Sequence, residues 1–190
     1  LNYQEKILCT ATIILAIINL LSPFLPWFKF SAFIIHVLVE EPYPVSGVIY
    51  GFGTGRLDLW GAEVTIWSND EIFTTRGSDF WYGVLPLMSG LILLTLGISY
   101  GKIQKVWIKI FLVLLAITLS VSGFLSAILY EPALLTIMGQ IDDLLTDVDF
   151  IYRDEFKVRL GIGPFVCLIS GILSSLFFIV ILIIKNKTNP

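Results

Sequence analysis

Apolar residues in this chain gather into four long runs, at about 7–28, 82–100, 106–129 and 160–184. Each is close to the 20 or so residues that a hydrocarbon core about 30 Å thick requires. None alternates with the period of two that a lipid-facing strand would show, so all four read as membrane-spanning helices. Pro23 and Pro26 interrupt the first run near its end. Aromatic side chains stand at the run ends where interfacial belts form: Trp27, Phe28, Tyr82, Tyr100, Trp107 and Tyr130.

The intervening segments, 29–81 and 130–159, have a different pattern. In the first, short β-branched or aromatic stretches (37–39, 48–52, 57–60 and 64–67) are punctuated by Pro42, Pro44, Gly47, the Gly51 to Gly55 cluster and Gly61. Leu57 and Leu59 share one strand face, and Asp58 and Trp60 the other. The expectation is an antiparallel sheet of three or four strands, which needs the helices or a partner to cover one face. In the second segment, Glu131-Pro132 opens a helical pattern with Leu134, Leu135, Ile137, Met138, Ile141, Leu144 and Leu145 on one stripe. Either the third span continues beyond the membrane or a separate amphipathic helix lies on the sheet. The whole is one integral membrane domain, a left-handed four-helix bundle capped by a small sheet.

Composition agrees with the pattern. Apolar residues make up 56% and charged residues 14%, where a soluble domain averages about 45–50% and about 25%. A net charge of −3 offers nucleic acid nothing, so no nucleic-acid partner is expected. Lys6, Lys102, Lys105, Lys109, Lys185 and Lys187 share one side with a single acid, Glu5, while the other fourteen acids fall on the opposite side. The positive-inside rule then places both termini in the cytoplasm and the two large segments outside. Pro23 to Pro26 offers no small-residue cleavage site, so the first span reads as an uncleaved anchor.

Chemistry-bearing residues are few. His36 is the only histidine, which excludes a bis-histidine haem or histidine-rich metal site within one chain. Cys9 and Cys167 fall about half a membrane apart, too far for a disulfide, and read as small buried hydrophobes. Asp142, Asp143, Asp147, Asp149, Asp154 and Glu155 lack the spacing of a calcium loop and read as a solvated face. Within the spans, Asn19 is the one strongly polar side chain at depth, and Lys109 sits a turn inside, within snorkelling reach of the interface. Pumps, transporters and membrane-embedded enzymes place ionisable groups in their spans, so the expectation is a non-enzymatic chain without a cofactor.

Small residues mark helix contacts instead. Gly83, Gly90 and Gly97 recur every seven residues, Gly97 and Gly101 form a Gly-x-x-x-Gly, and Ser170, Gly171, Ser174 and Ser175 repeat at the same four-residue spacing. In the first external segment, Trp60 and Trp67 with Arg56 and Asp58 are the candidate partner-binding residues, since large aromatics beside Arg dominate interfaces.

The layout resembles the claudin-like four-span proteins. The resemblance rests on early Trp27, the Asp58-Leu59-Trp60 tripeptide where that family carries Gly-Leu-Trp, Arg76 ahead of the second span, and the tight inner loop. The family's cysteine pair is absent. The resemblance implies an extracellular sheet and, as one function, self-associating adhesion or barrier formation. Three functions stay open at this point: an accessory subunit binding other membrane subunits, claudin-like self-association, and a cofactor-free accessory chain of an oxidoreductase or monooxygenase. Membrane lipid is a partner in each.

Overall fold

The computed structural model describes residues 3–36, 39–51, 55–59, 62–66, 83–100, 102–103, 105–146, 150–152 and 157–188. Among the described residues four helices occur: α1 (Tyr3–Leu21), α2 (Val84–Ile98), α3 (Val106–Thr146) and α4 (Ile162–Thr188). The described residues also form six strands: β1 (Pro26–His36), β2 (Val39–Tyr50), β3 (Gly55–Leu59), β4 (Ala62–Ile66), β5 (Phe150–Tyr152) and β6 (Lys157–Leu160). A 3-10 turn, Ser22–Phe24, ends α1.

Among the described residues, three helical stretches are long and apolar enough to cross a membrane: Tyr3–Phe24, Val106–Leu129 and Ile162–Lys185. α2 is apolar but has only 15 residues, about 22 Å at 1.5 Å per residue, short of the roughly 30 Å core. It stops early because the chain turns at Ser99 and Tyr100.

α1 and α3 bury residues at alternating steps of three and four. α1 buries Glu5, Cys9, Thr12, Ala16 and Asn19; α3 buries Lys109, Val113, Ala116, Ser120, Gly123 and Ala127. A mean step of 3.5 is the seam of left-handed bundles. Many seam residues are small (Thr12, Ala16, Ser89, Ala116, Ser120, Ala127, Ser174), with Leu93, Leu96, Phe178 and Ile181 among the large ones, while Ile14, Phe111, Leu114, Leu125, Phe165 and Leu176 point outward. A soluble bundle places the large side chains inside. Apolar solvent removes that driving force, and close backbone approach takes over. α1 packs against α2 and α4, and α3 against the same two.

All strand pairs are antiparallel, in the order β4-β3-β2-β1-β5, with β6 also on β1. β1 is therefore the common strand: β6 pairs with Phe28 to Ser31 and β5 with Ile34 to His36. The sheet is larger than the expected three or four strands because the second connecting segment contributes two. That segment's helix is not a separate element. α3 runs through Pro132 for 41 residues, about 60 Å, and passes beside β5 and β6.

β1 takes up the end of the first apolar run, so Trp27 and Phe28 belong to a strand rather than to a span. Pro26 pairs with Tyr50 and Phe28 with Ile49, leaving Trp27 as the extra residue of a bulge. A bulge re-aims its side chain, and here two successive residues, Trp27 and Phe28, are both buried. Pro42 and Pro44 lie inside β2, where punctuation was expected. Both fall where β2 pairs with β1 alone, since β3 joins only from Val45 onward. Proline is tolerated along such an open edge because no ladder donor is needed there.

Candidate functional site

In the sheet-side half of the bundle the four helices meet in a polar layer to which each contributes one residue: Asn19, Ser89, Ser120 and Gly171. The Asn19 amide nitrogen lies 3.1 Å from the Ser89 hydroxyl and 3.3 Å from that of Ser120. Ser89 donates to the Ala116 carbonyl at 2.8 Å, and the two serine oxygens are 2.8 Å apart. The protons decide the arrangement. A carbonyl only accepts, so Ser89 spends its proton on Ala116, and Ser120 must donate to Ser89. No hydroxyl proton remains for Asn19, whose N–H side therefore faces the serines. Its Oδ1 is left buried without a partner among the described residues.

Gly171 closes this layer. A Cβ there would strike the Ser120 Oγ and lie 2.6 Å from the Ser120 Cβ and 3.3 Å from the Asn19 Nδ2. The Cys167 thiol, one turn along α4, donates to the Ser120 carbonyl at 3.6 Å. One turn the other way, Ser174 donates to the Thr12 carbonyl of α1 at 3.1 Å. Ser170 and Ser175 are also buried and bond within α4, to Val166 and Gly171. Both cysteines are buried and free.

Toward the sheet, the Trp27 indole fills the mouth of the bundle. Its Nε1 donates to the Ser22 carbonyl at 3.0 Å, and Gly163 lies against its ring so closely that a Cβ would overlap it. Main-chain bonds complete the junction: Gly161 to Trp27 at 2.7 Å, Gly51 to Pro23 at 2.8 Å and Gly83 to Gly51 at 2.8 Å. Sheet and bundle are thus joined through α1, β1, β2, α2 and α4 at one point.

The opposite end is built around Tyr100. Lys109 is only 3% exposed, so it does not snorkel as expected. It donates to the Tyr100 carbonyl at 3.0 Å and sits 4.4 Å from the ring centroid. The Lys185 ammonium is 5.2 Å from the same centroid, and Phe178 meets the ring edge-on at 5.7 Å. A carbonyl and a π-face together hold a buried ammonium where water does not reach it. The Tyr100 hydroxyl is buried with no hydrogen-bond partner among the described residues.

Gly90 and Gly97 both face α1: a Cβ on Gly90 would lie 2.7 Å from Leu20 Cγ and 3.0 Å from the Ala16 carbonyl, and one on Gly97 would lie 2.7 Å from Ile13 Cγ1. Gly83 is buried at the start of α2. Arg56 and Asp58 sit in β3, two positions apart, in register with Thr65 and Glu63 of β4. Trp60, Trp67 and Gly101 lie outside the described residues, as do Asp147, Asp149, Asp154 and Glu155. Sequence reading found Asn19 but not its partners Ser89 and Ser120. The available signal was a serine at a seam position in each of two strongly apolar stretches, of α2 and of α3. No protein-family model and no curated protein matches the chain.

Proposed function

We propose that this chain is a non-enzymatic structural or accessory subunit of a membrane assembly, with both termini cytoplasmic and the sheet outside. The observation that carries the reading is the junction at Trp27. It couples a six-stranded sheet drawn from both connecting segments to the sheet-side ends of α1, α2 and α4. A sheet so anchored is a platform whose position follows the helices, which suits docking a partner outside the bilayer while the bundle docks another within it. Arg56 and Asp58 of β3, with Trp60 and Trp67 that follow β3 and β4 in the sequence, are assigned to the outer partner.

Mild solubilisation followed by native electrophoresis and mass spectrometry tests this. A fixed complement of other membrane chains comigrating with the protein is the expected result. A chain that migrates alone overturns it. A ladder of homopolymers would favour the second reading, claudin-like self-association, which the sheet-capped helical layout supports. Sidedness is tested separately: Lys157→Cys should react with an impermeant thiol reagent on intact cells, and Lys102→Cys should not.

A further inference from the structure

Lys102, Lys105, Lys109 and Lys185, four of the lysines at the end of the bundle away from the sheet, fall into two groups. Lys109 and Lys185 are committed internally, on the Tyr100 ring. Lys102 and Lys105, in the α2–α3 connection, are exposed and form no ion pair among the described residues. Directly after them, Trp107, Phe111 and Leu114 make a stripe along α3 at steps of four and three, 82%, 64% and 56% exposed. Ammonium groups at a helix start, followed by an uninterrupted apolar stripe running down the helix, match the two halves of a phospholipid in order and polarity.

We propose that this surface holds an anionic phospholipid, its phosphate at Lys102 and Lys105 and an acyl chain along Trp107, Phe111 and Leu114. Charge complementarity selects the anionic headgroup, because two exposed cations three positions apart, without an ion pair among the described residues, attract acidic lipids and give a zwitterionic headgroup little net advantage. The stripe selects a lipid over a free anion. The inference is independent of which proteins the chain binds and of which leaflet the lysines face.

The test is lipid retention by the purified full chain in native mass spectrometry, after exchange with equal phosphatidylglycerol and phosphatidylcholine. Preferential retention of phosphatidylglycerol is expected. Each of Lys102→Gln and Lys105→Gln should weaken it about fivefold, since a basic residue near an anionic surface contributes about that much, whereas Lys102→Arg should keep it. Brominated phosphatidylglycerol should quench fluorescence in the parent and leave a Trp107→Phe variant largely unquenched. Equal retention of the two lipids overturns the proposal. So does unchanged preference in both glutamine variants, or displacement of the lipid by excess inorganic phosphate.

Discussion

Asn19 of α1 reaches Ser120 of α3 across the centre of the bundle, joining residues 101 positions apart with a hydrogen bond from a side-chain amide. The bond closes the polar layer between diagonally placed helices, which otherwise contact each other through α2 and α4. In an apolar solvent sliding and rotation of helices meet little hydrophobic penalty, so a polar contact that is satisfied in one register only supplies the specificity that aliphatic packing lacks.

Asn19→Ala should cost about 1 kcal/mol, rising to about 2 at most, the range of interhelical hydrogen bonds in membrane bundles. The loss is small because Ser89 and Ser120 keep each other and the Ala116 carbonyl, and the orphaned Oδ1 disappears with the side chain. Asn19→Asp should be far worse, since it buries an anion with no cation in the layer. Unfolding of the purified chain in mixed micelles measures both. Equal losses would show that the layer is open to water.

How much of this was legible in the sequence follows from the physics of each element. Long apolar runs reveal helices because lipid forces every backbone group to pair within the segment. β1 escaped notice because Trp27 and Phe28 are as apolar as the span they follow, and only the bulge separates strand from helix there. β2 was split because its prolines read as turn signals until the pairing partners are known. Small residues at seven-residue spacing pointed to helix contacts, but nothing local could show that Gly90 and Gly97 meet α1. Asn19 was conspicuous because it is strongly polar. Ser89 and Ser120 were not, since a lone serine in an apolar helix can bond its own preceding turn, as Ser126 does here.

Gly171→Ala should destabilise by about 1–3 kcal/mol, the cost of overpacking a filled core, because the new methyl meets Ser120 rather than a flexible side-chain end. Ser120→Gly removes both atoms it would strike. Combining the two should cost less than the sum of the singles, the mark of residues in direct contact. A double-mutant cycle on unfolding free energy decides it. Strict additivity would place Gly171 elsewhere.

Three glycines give a graded series. At Gly97 a methyl meets only the Ile13 side chain, which can rotate away; at Gly90 it also meets the Ala16 carbonyl; at Gly161 every near atom is backbone of Pro26 or Trp27. Melting temperatures of the alanine variants should therefore fall in the order Gly97→Ala, Gly90→Ala, Gly161→Ala, with the last losing most. Leucine at Gly90 or Gly97 should separate α1 from α2 altogether. If Gly161→Ala melts with the parent, the junction at Trp27 is not rigid.

The Tyr100 cage makes the ring and its hydroxyl separable. Tyr100→Phe keeps the face that Lys109 and Lys185 occupy and the edge contact with Phe178, while removing a buried hydroxyl that has no partner among the described residues. Its stability should equal or slightly exceed the parent's, since an unsatisfied buried polar group is a net cost. Tyr100→Ala empties the site and should lose about 3–5 kcal/mol, the usual range for a large core aromatic. Lys109→Met should fall between them, at about 1.5–3 kcal/mol, because it withdraws a charged donor from the Tyr100 carbonyl while preserving the bulk. Denaturant titrations of the three variants give the ranking directly. A Tyr100→Phe loss as large as that of Tyr100→Ala would mean that the hydroxyl, and not the ring, organises this end of the bundle.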